Sequence, residues 1–145
     1  MTANTIVVVA AVIERPDRRL LIGQRRRSDT SALKWEFPGG KVKPGETDEA
    51  ALARELREEL GATLVKSAPI GVVVHKYAET ATALEIRFFV AKLESTEIHP
   101  MAFEQTAWVL PRELSEYDFL TANRELVAKL ATGRIKLSEI LAATK

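Results

Sequence analysis

The sequence predicts an α/β fold in which a central mixed sheet is sandwiched between helices. Three observations predict it. Short runs rich in valine and isoleucine are bounded by proline, glycine and aspartate. One later segment alternates, with Leu84, Ile86, Phe88 and Val90 on one face. Helix-forming stretches are interleaved with these runs rather than gathered at one end, the pattern of a layered α/β domain. No repeat or low-complexity segment interrupts the pattern.

The elements follow in order. Residues 6–13 and 20–22 read as strands joined by a turn at Pro16-Asp17. Gln24 to Asp29 is a polar, arginine-rich loop. Trp35-Glu36-Phe37 is a short aromatic segment stopped by Pro38-Gly39-Gly40, and Pro44-Gly45 is a second turn. Residues 47–60 read as a helix with an apolar stripe of Leu52, Ala53, Leu56 and Leu60, and Gly61 stands where a C-terminal cap belongs. Residues 72–77 and 84–93 are strands around a turn at 78–83, and residues 106–110 form a further short strand. Residues 111–116 and 122–130 read as helices, and 137–143 as a weak terminal one.

The chain has 145 residues, which suits one domain over 1–145. Apolar residues make up 46% and charged residues 28%, a globular balance that argues against a disordered chain. A formal net charge of +1 gives no reason to expect a polymeric nucleic acid or a membrane as partner. There is no cysteine, so disulfides, thiolate nucleophiles and cysteine-ligated metals are excluded. The longest apolar run, 6–13, is too short to span a bilayer and lacks the flanks of a signal peptide. A soluble cytoplasmic protein is expected.

The chemistry concentrates in the helix at 47–60. Glu55, Glu58 and Glu59 are spaced i, i+3, i+4 and fall on one side of it, beside the leucine stripe. Crowded carboxylates repel one another, and a hard divalent cation such as magnesium or manganese would neutralise them. The alternative is a solvated helix face. Arg54 lies one turn before Glu58 and is placed to orient it, and Glu46 sits near the positive end of the helix dipole. Gly39-Gly40 and Pro44-Gly45 bracket a tight loop that leads into the helix, where exposed backbone groups can meet metal and phosphate.

Gly40, Glu46, Arg54-Glu55-Leu56, Glu58-Glu59 and Gly61-Ala62, over residues 40–62, resemble the Nudix box. One position departs: the family prefers a bulky aliphatic residue where Ala62 stands. The segment Leu33-Lys34-Trp35-Glu36-Phe37-Pro38-Gly39-Gly40-Lys41 and the stretch around Ala122-Asn123 resemble the MutT-like branch, so the likeness runs over roughly residues 4–131. Residues after Gly133 match nothing in it.

The resemblance implies a Nudix-type α/β/α sandwich and a hydrolase that cuts a phosphoanhydride bond of a nucleotide. It implies Glu58 and Glu59 as metal ligands, Glu55 as a ligand or as the base that activates water, and a backbone oxygen from Gly40. Arg54 would orient a glutamate and Glu46 would stabilise the loop. A further acid from a later loop would be Glu104, whose other reading is a surface glutamate. The metal would be Mg2+, with Mn2+ as the alternative. Neither His75 nor His99 is required.

For the nucleotide substrate, one of Arg25, Arg26 and Arg27 would meet phosphate and the others be solvated, and the resemblance points to Arg25. Phe37 would lie beside the base, or else be a core aromatic. Asn123 would read the base edge, since an amide both donates and accepts, or else cap the following helix. The substrate so implied is 8-oxo-dGTP, hydrolysed to the monophosphate and pyrophosphate. A CTP or methylated-dCTP pyrophosphohydrolase is the alternative, and a non-catalytic nucleotide-sensing module is the alternative of another class.

Overall fold

Val9, Ala11 and Ile13 point to one face of strand β1 (Asn4–Ile13), Ala10 and Val12 to the other, and all five are buried. A strand that is apolar on both faces needs cover on both sides. The computed structural model, which describes residues 4–76 and 82–144, shows that cover.

β1 lies inside a four-stranded mixed sheet. Its neighbours are β4 (Gly39–Lys41), antiparallel, and β6 (Thr82–Leu93), parallel, with Ile6 opposite Leu84 and Val12 opposite Val90. β5 (Leu64–Lys76) pairs antiparallel with β6 at the edge. A smaller antiparallel sheet has β2 (Leu20–Gln24) between β3 (Trp35–Glu36) and β7 (Gln105–Val109).

Helix α1 (Asp48–Leu60) covers one face, packing Ala51, Leu52, Leu56 and Leu60 on Val9, Ala11, Ile13, Phe89 and Leu93. α2 (Arg124–Ala131) and α3 (Leu137–Ala143) cover the other, where Leu126, Val127, Leu130 and Leu137 meet Ala10, Val12, Phe88 and Val90. The expected mixed sheet between helices is therefore present. The alternation read for Leu84, Ile86, Phe88 and Val90 also holds, since all four join the α2–α3 side.

α1 begins and ends where its local chemistry dictates. The Thr47 hydroxyl accepts from the Ala50 N–H at 3.1 Å, a cap contributing about 1 kcal/mol. Gly61 takes the left-handed conformation that ends the helix, and its N–H donates to the Arg57 carbonyl. The chain at 99–101 then crosses this end: His99 N–H donates to the Leu60 carbonyl at 2.7 Å and Met101 N–H to the Glu59 carbonyl at 2.9 Å. The last turn, which carries Glu58 and Glu59, is thus closed by backbone from elsewhere.

Several boundaries differ from expectation. The strand expected at 72 starts at Leu64, because a register shift between Pro69 and Gly71 breaks the alternation that would reveal it. Tyr77 and positions 78–81 of the expected turn lie outside the described residues. Gly39-Gly40, read as a stop, forms β4 instead. Ala53 is half-buried, and Ala51 takes its place in the stripe one step back around the helix. The helix expected from 122 begins as a 3-10 turn, Thr121–Asn123, and is α-helical only from Arg124, whereas Pro111–Glu116 is 3-10 throughout.

Candidate active site

β4 runs beside α1, and this brings the glycine loop against the acidic helix. Gly40 faces Glu55 so closely that a Cβ on it would stand 2.3 Å from the Glu55 carboxylate carbon, so glycine is the residue that leaves room. One turn on, Glu59 accepts the Gly39 N–H at 2.9 Å. Glu58 is turned outward, with a side chain 55% exposed.

Arg54 ties these groups together. It grips Glu46 with Nε at 2.7 Å and Nη2 at 2.9 Å, donates to the Lys41 carbonyl at 2.9 Å and reaches Glu55 at 2.9 Å. Its contact with Glu58 is longer, 3.4 Å. Its main work is therefore on Glu46 and Glu55 rather than on Glu58, the partner that helical spacing suggested. Glu46 in turn accepts the Lys43 N–H at 2.8 Å, which closes the loop before α1. The Arg54 hydrogen bonds hold the Glu46 carboxyl down at about 2, below its ordinary 4.5.

Glu59, like Glu55, is a half-buried member of the acidic set. Burial pushes its pKa from 4.5 up to about 8, against the pull of the Gly39 N–H, and the neighbouring charges of Glu36, Glu55 and Glu58 push the same way. Among the described residues, no three acidic or histidine side chains already converge on one point. The donor chemistry still fits a divalent cation: Glu55 and Glu59 bracket the Gly39–Gly40 backbone, every donor is an oxygen, and a cation would relieve the repulsion that Glu59 experiences.

A cavity of about 230 Å³ opens beside this face, lined among others by Arg25, Glu36, Phe37, Gly40, Glu59 and Asn123. A larger one of about 680 Å³, against α3, touches none of the candidate residues. Phe37 is a core aromatic, 3% exposed and edge-on to Phe88, and it also lines the cavity. Asn123 is 4% exposed, and its Oδ1 accepts the Phe37 N–H at 3.4 Å. It makes no side-chain capping bond to α2, so the cap reading fails: the residue is in helical conformation and its amide points at Phe37.

Arg25 lies just past β2 and lines the cavity. Arg26 donates to the Met101 carbonyl, while Arg27 is 78% exposed and 3.8 Å from Glu104. Glu104 itself stands just before β7, outside the residues that line the cavity. Glu36 was not anticipated. It is a cavity-lining carboxylate whose side chain is 20% exposed, paired to Arg25 at 3.2 Å. The available signal was a single acid between two aromatics, Trp35 and Phe37, since an acid carried inward with aromatic neighbours needs a cationic partner.

Comparisons with known proteins agree with this geometry. The family model described as the NUDIX domain matches residues 4–130. A Mycobacterium tuberculosis protein named "Putative 8-oxo-dGTP diphosphatase 2" is 38% identical over 128 residues, covering 88% of this chain and 89% of that protein. The CTP pyrophosphohydrolase of Escherichia coli is 36% identical over 124 residues, covering 84% and 88%. A MutT structure, from work on the proteins of Aliivibrio salmonicida and Vibrio cholerae, superposes with a TM-score of 0.76 at 29% identity, covering 90% of this chain and 99% of that one. With a box complete in its acids, a glycine loop seated against them and a family match over most of its length, the chain belongs to the Nudix family, hydrolases of phosphoanhydride bonds.

Proposed function

We propose that this protein is a Mg2+-dependent nucleoside triphosphate pyrophosphohydrolase that converts 8-oxo-dGTP to the monophosphate and pyrophosphate, as one catalytic domain that cleanses the cytoplasmic nucleotide pool. The observation that carries the substrate is Asn123. A buried amide, freed from capping duty, shares one cavity with Glu59 and Gly40. Its donor and acceptor suit a ring edge that presents a carbonyl beside an N–H.

In this reading Glu58, Glu59 and the Gly40 carbonyl hold the cation, with Glu55 as a further ligand or as the base. When bound, the cation neutralises phosphate charge and acidifies water. This chain's own groups do the rest. Glu55, kept against Gly40 by Arg54, accepts the proton of the attacking water as the new P–O bond forms and the anhydride P–O bond breaks. Glu46 fixes Arg54, and Arg25 meets the phosphates. Glu104 is the candidate for a further acid from a later loop.

CTP is the second reading, favoured by a CTP pyrophosphohydrolase standing almost level in identity with the diphosphatase relative. A panel of 8-oxo-dGTP, dGTP, CTP and methylated dCTP with Mg2+, read as pyrophosphate release, separates these. A kcat/KM for 8-oxo-dGTP well above the others supports the first reading. CTP in front overturns it in favour of the second, and binding without release would make the protein a sensing module.

A further inference from the structure

The guanidinium of Arg25 is largely engaged within its own neighbourhood. Nε donates to the Thr30 carbonyl at 2.7 Å and Nη2 to the Thr30 hydroxyl at 3.3 Å, so the side chain is wrapped by the loop that follows it. The backbone closes the same loop, with Arg25 N–H to the Lys34 carbonyl and Leu33 N–H to the Arg25 carbonyl. Ser31 and Leu33 adopt positive φ, 53° and 64°, conformations that persist only where surrounding bonds impose them. Of the five guanidinium N–H groups, one on Nη1 and one on Nη2 have no partner among the described residues.

The remaining bond ties this assembly to the sheet. Arg25 Nη1 donates to Glu36 Oε1 at 3.2 Å. Glu36 sits on β3, opposite Gly23 of β2, and its backbone is fixed by that pairing. Both side chains are mostly buried, 24% and 20% exposed, and both line the cavity that holds Gly40, Glu59 and Asn123. A buried guanidinium with no carboxylate partner would turn outward to solvent or inward to the next acid, and Glu59 is an acid on the same wall.

We propose that Glu36 is a positioning residue of the nucleotide site: its carboxylate holds the Arg25 guanidinium in the cavity wall, with two N–H groups left for a phosphate of the bound nucleotide. The inference rests on the reading of Arg25 as the phosphate contact. Glu36 acts through Arg25, so its loss weakens nucleotide binding while leaving the acid helix and the chemical step intact.

The test uses the full chain and four variants, Glu36→Gln, Glu36→Asp, Arg25→Ala and the double variant Arg25→Ala with Glu36→Gln. Steady-state hydrolysis of 8-oxo-dGTP gives kcat and KM, and Mn2+ titration of the nucleotide-free protein gives the metal Kd. Arg25→Ala is expected to raise KM. Glu36→Gln is expected to raise KM about tenfold, the scale of one charge-assisted bond, with kcat within about twofold of the parent and the Mn2+ Kd within about fivefold, since the Glu36 charge also reaches Glu59. Glu36→Asp keeps the charge and should recover part of the loss, and the double variant should be no worse than Arg25→Ala alone. If Arg25→Ala leaves KM unchanged, the phosphate assignment itself falls, and this inference with it. If Arg25→Ala raises KM but Glu36→Gln does not, or the double variant is additive, the positioning role alone is overturned. A Mn2+ Kd weakened by an order of magnitude or more in Glu36→Gln would overturn it too, because Glu36 would then be a metal ligand rather than a distant charge on Glu59.

Discussion

Glu55 and Gly40 are packed so tightly that a methyl group on Gly40 would lie 2.4 Å from a Glu55 carboxylate oxygen. Gly40→Ala should therefore displace the carboxylate and leave the leucine face of α1 where it is. Misplacing a reacting group by about 1 Å costs on the order of a hundredfold in rate. We expect a loss of that order in kcat with Tm within a few degrees of the parent. A variant of normal activity would show that the Glu55 position is immaterial to turnover.

The box acids should separate folding from chemistry. Glu58 is exposed and Glu59 faces the Gly39 N–H, so neither supports the core. Glu58→Gln and Glu59→Gln should keep a native circular dichroism spectrum and lose two or more orders of magnitude in kcat, roughly 3 kcal/mol or above. Near-parental turnover by Glu58→Gln would remove it from the metal set.

Asn123→Asp is a test of substrate choice. The substitution keeps an acceptor for the Phe37 N–H, and no helix cap is lost because none is made. An ionised carboxylate cannot donate, so it should disfavour a base edge that presents a carbonyl and favour one that presents an amino group. We expect kcat/KM for 8-oxo-dGTP to fall by at least about tenfold relative to CTP, the scale of one lost hydrogen bond. An unchanged ranking of 8-oxo-dGTP, dGTP and CTP would leave the base assignment without its residue.

Glu46 supplies a pH signature. Its carboxyl is held at about 2, chiefly by the Arg54 hydrogen bonds, against an ordinary 4.5. A lowered folded-state value means that the stabilisation is complete above 4.5 and is lost as pH falls through about 2. Thermal melts of the parent and Glu46→Gln should differ by a constant amount from pH 8 to about pH 5.5 and converge on acidification towards pH 2. A difference that persists undiminished at the acid end would mean that the charge of Glu46 is not what stabilises the loop.

The parts of this fold that were legible in the sequence are those set by neighbours in the chain. Gly61 marks the end of α1 because a cap acts within three or four residues. The spacing of Glu55, Glu58 and Glu59 is a property of one helix. What was illegible depends on distant partners. Gly39-Gly40 looks like a stop and becomes a strand because Val9 and Ala10 accept it as a neighbour. β5 hides its beginning behind Pro69 and a register shift. Glu36 meets Arg25 only through the β2–β3 pairing, and the loop around Arg25 relies on positive φ at Ser31 and Leu33, where no glycine signals it. The capping role open to Asn123 is a local reading, and a contact with Phe37 far back in the chain displaces it.

β1 belongs to both hydrophobic cores, and this governs how the molecule comes apart. Val9, Ala11 and Ile13 cannot leave α1 without the same backbone carrying Ala10 and Val12 away from α2 and α3. With hydrogen-bonded neighbours on either side, its central amides have no local route to solvent. Melting should thus be shared between the two faces, and the slowest-exchanging protons are expected at residues 8–12. Trimming Val12, which never touches the acidic helix, loosens that helix all the same.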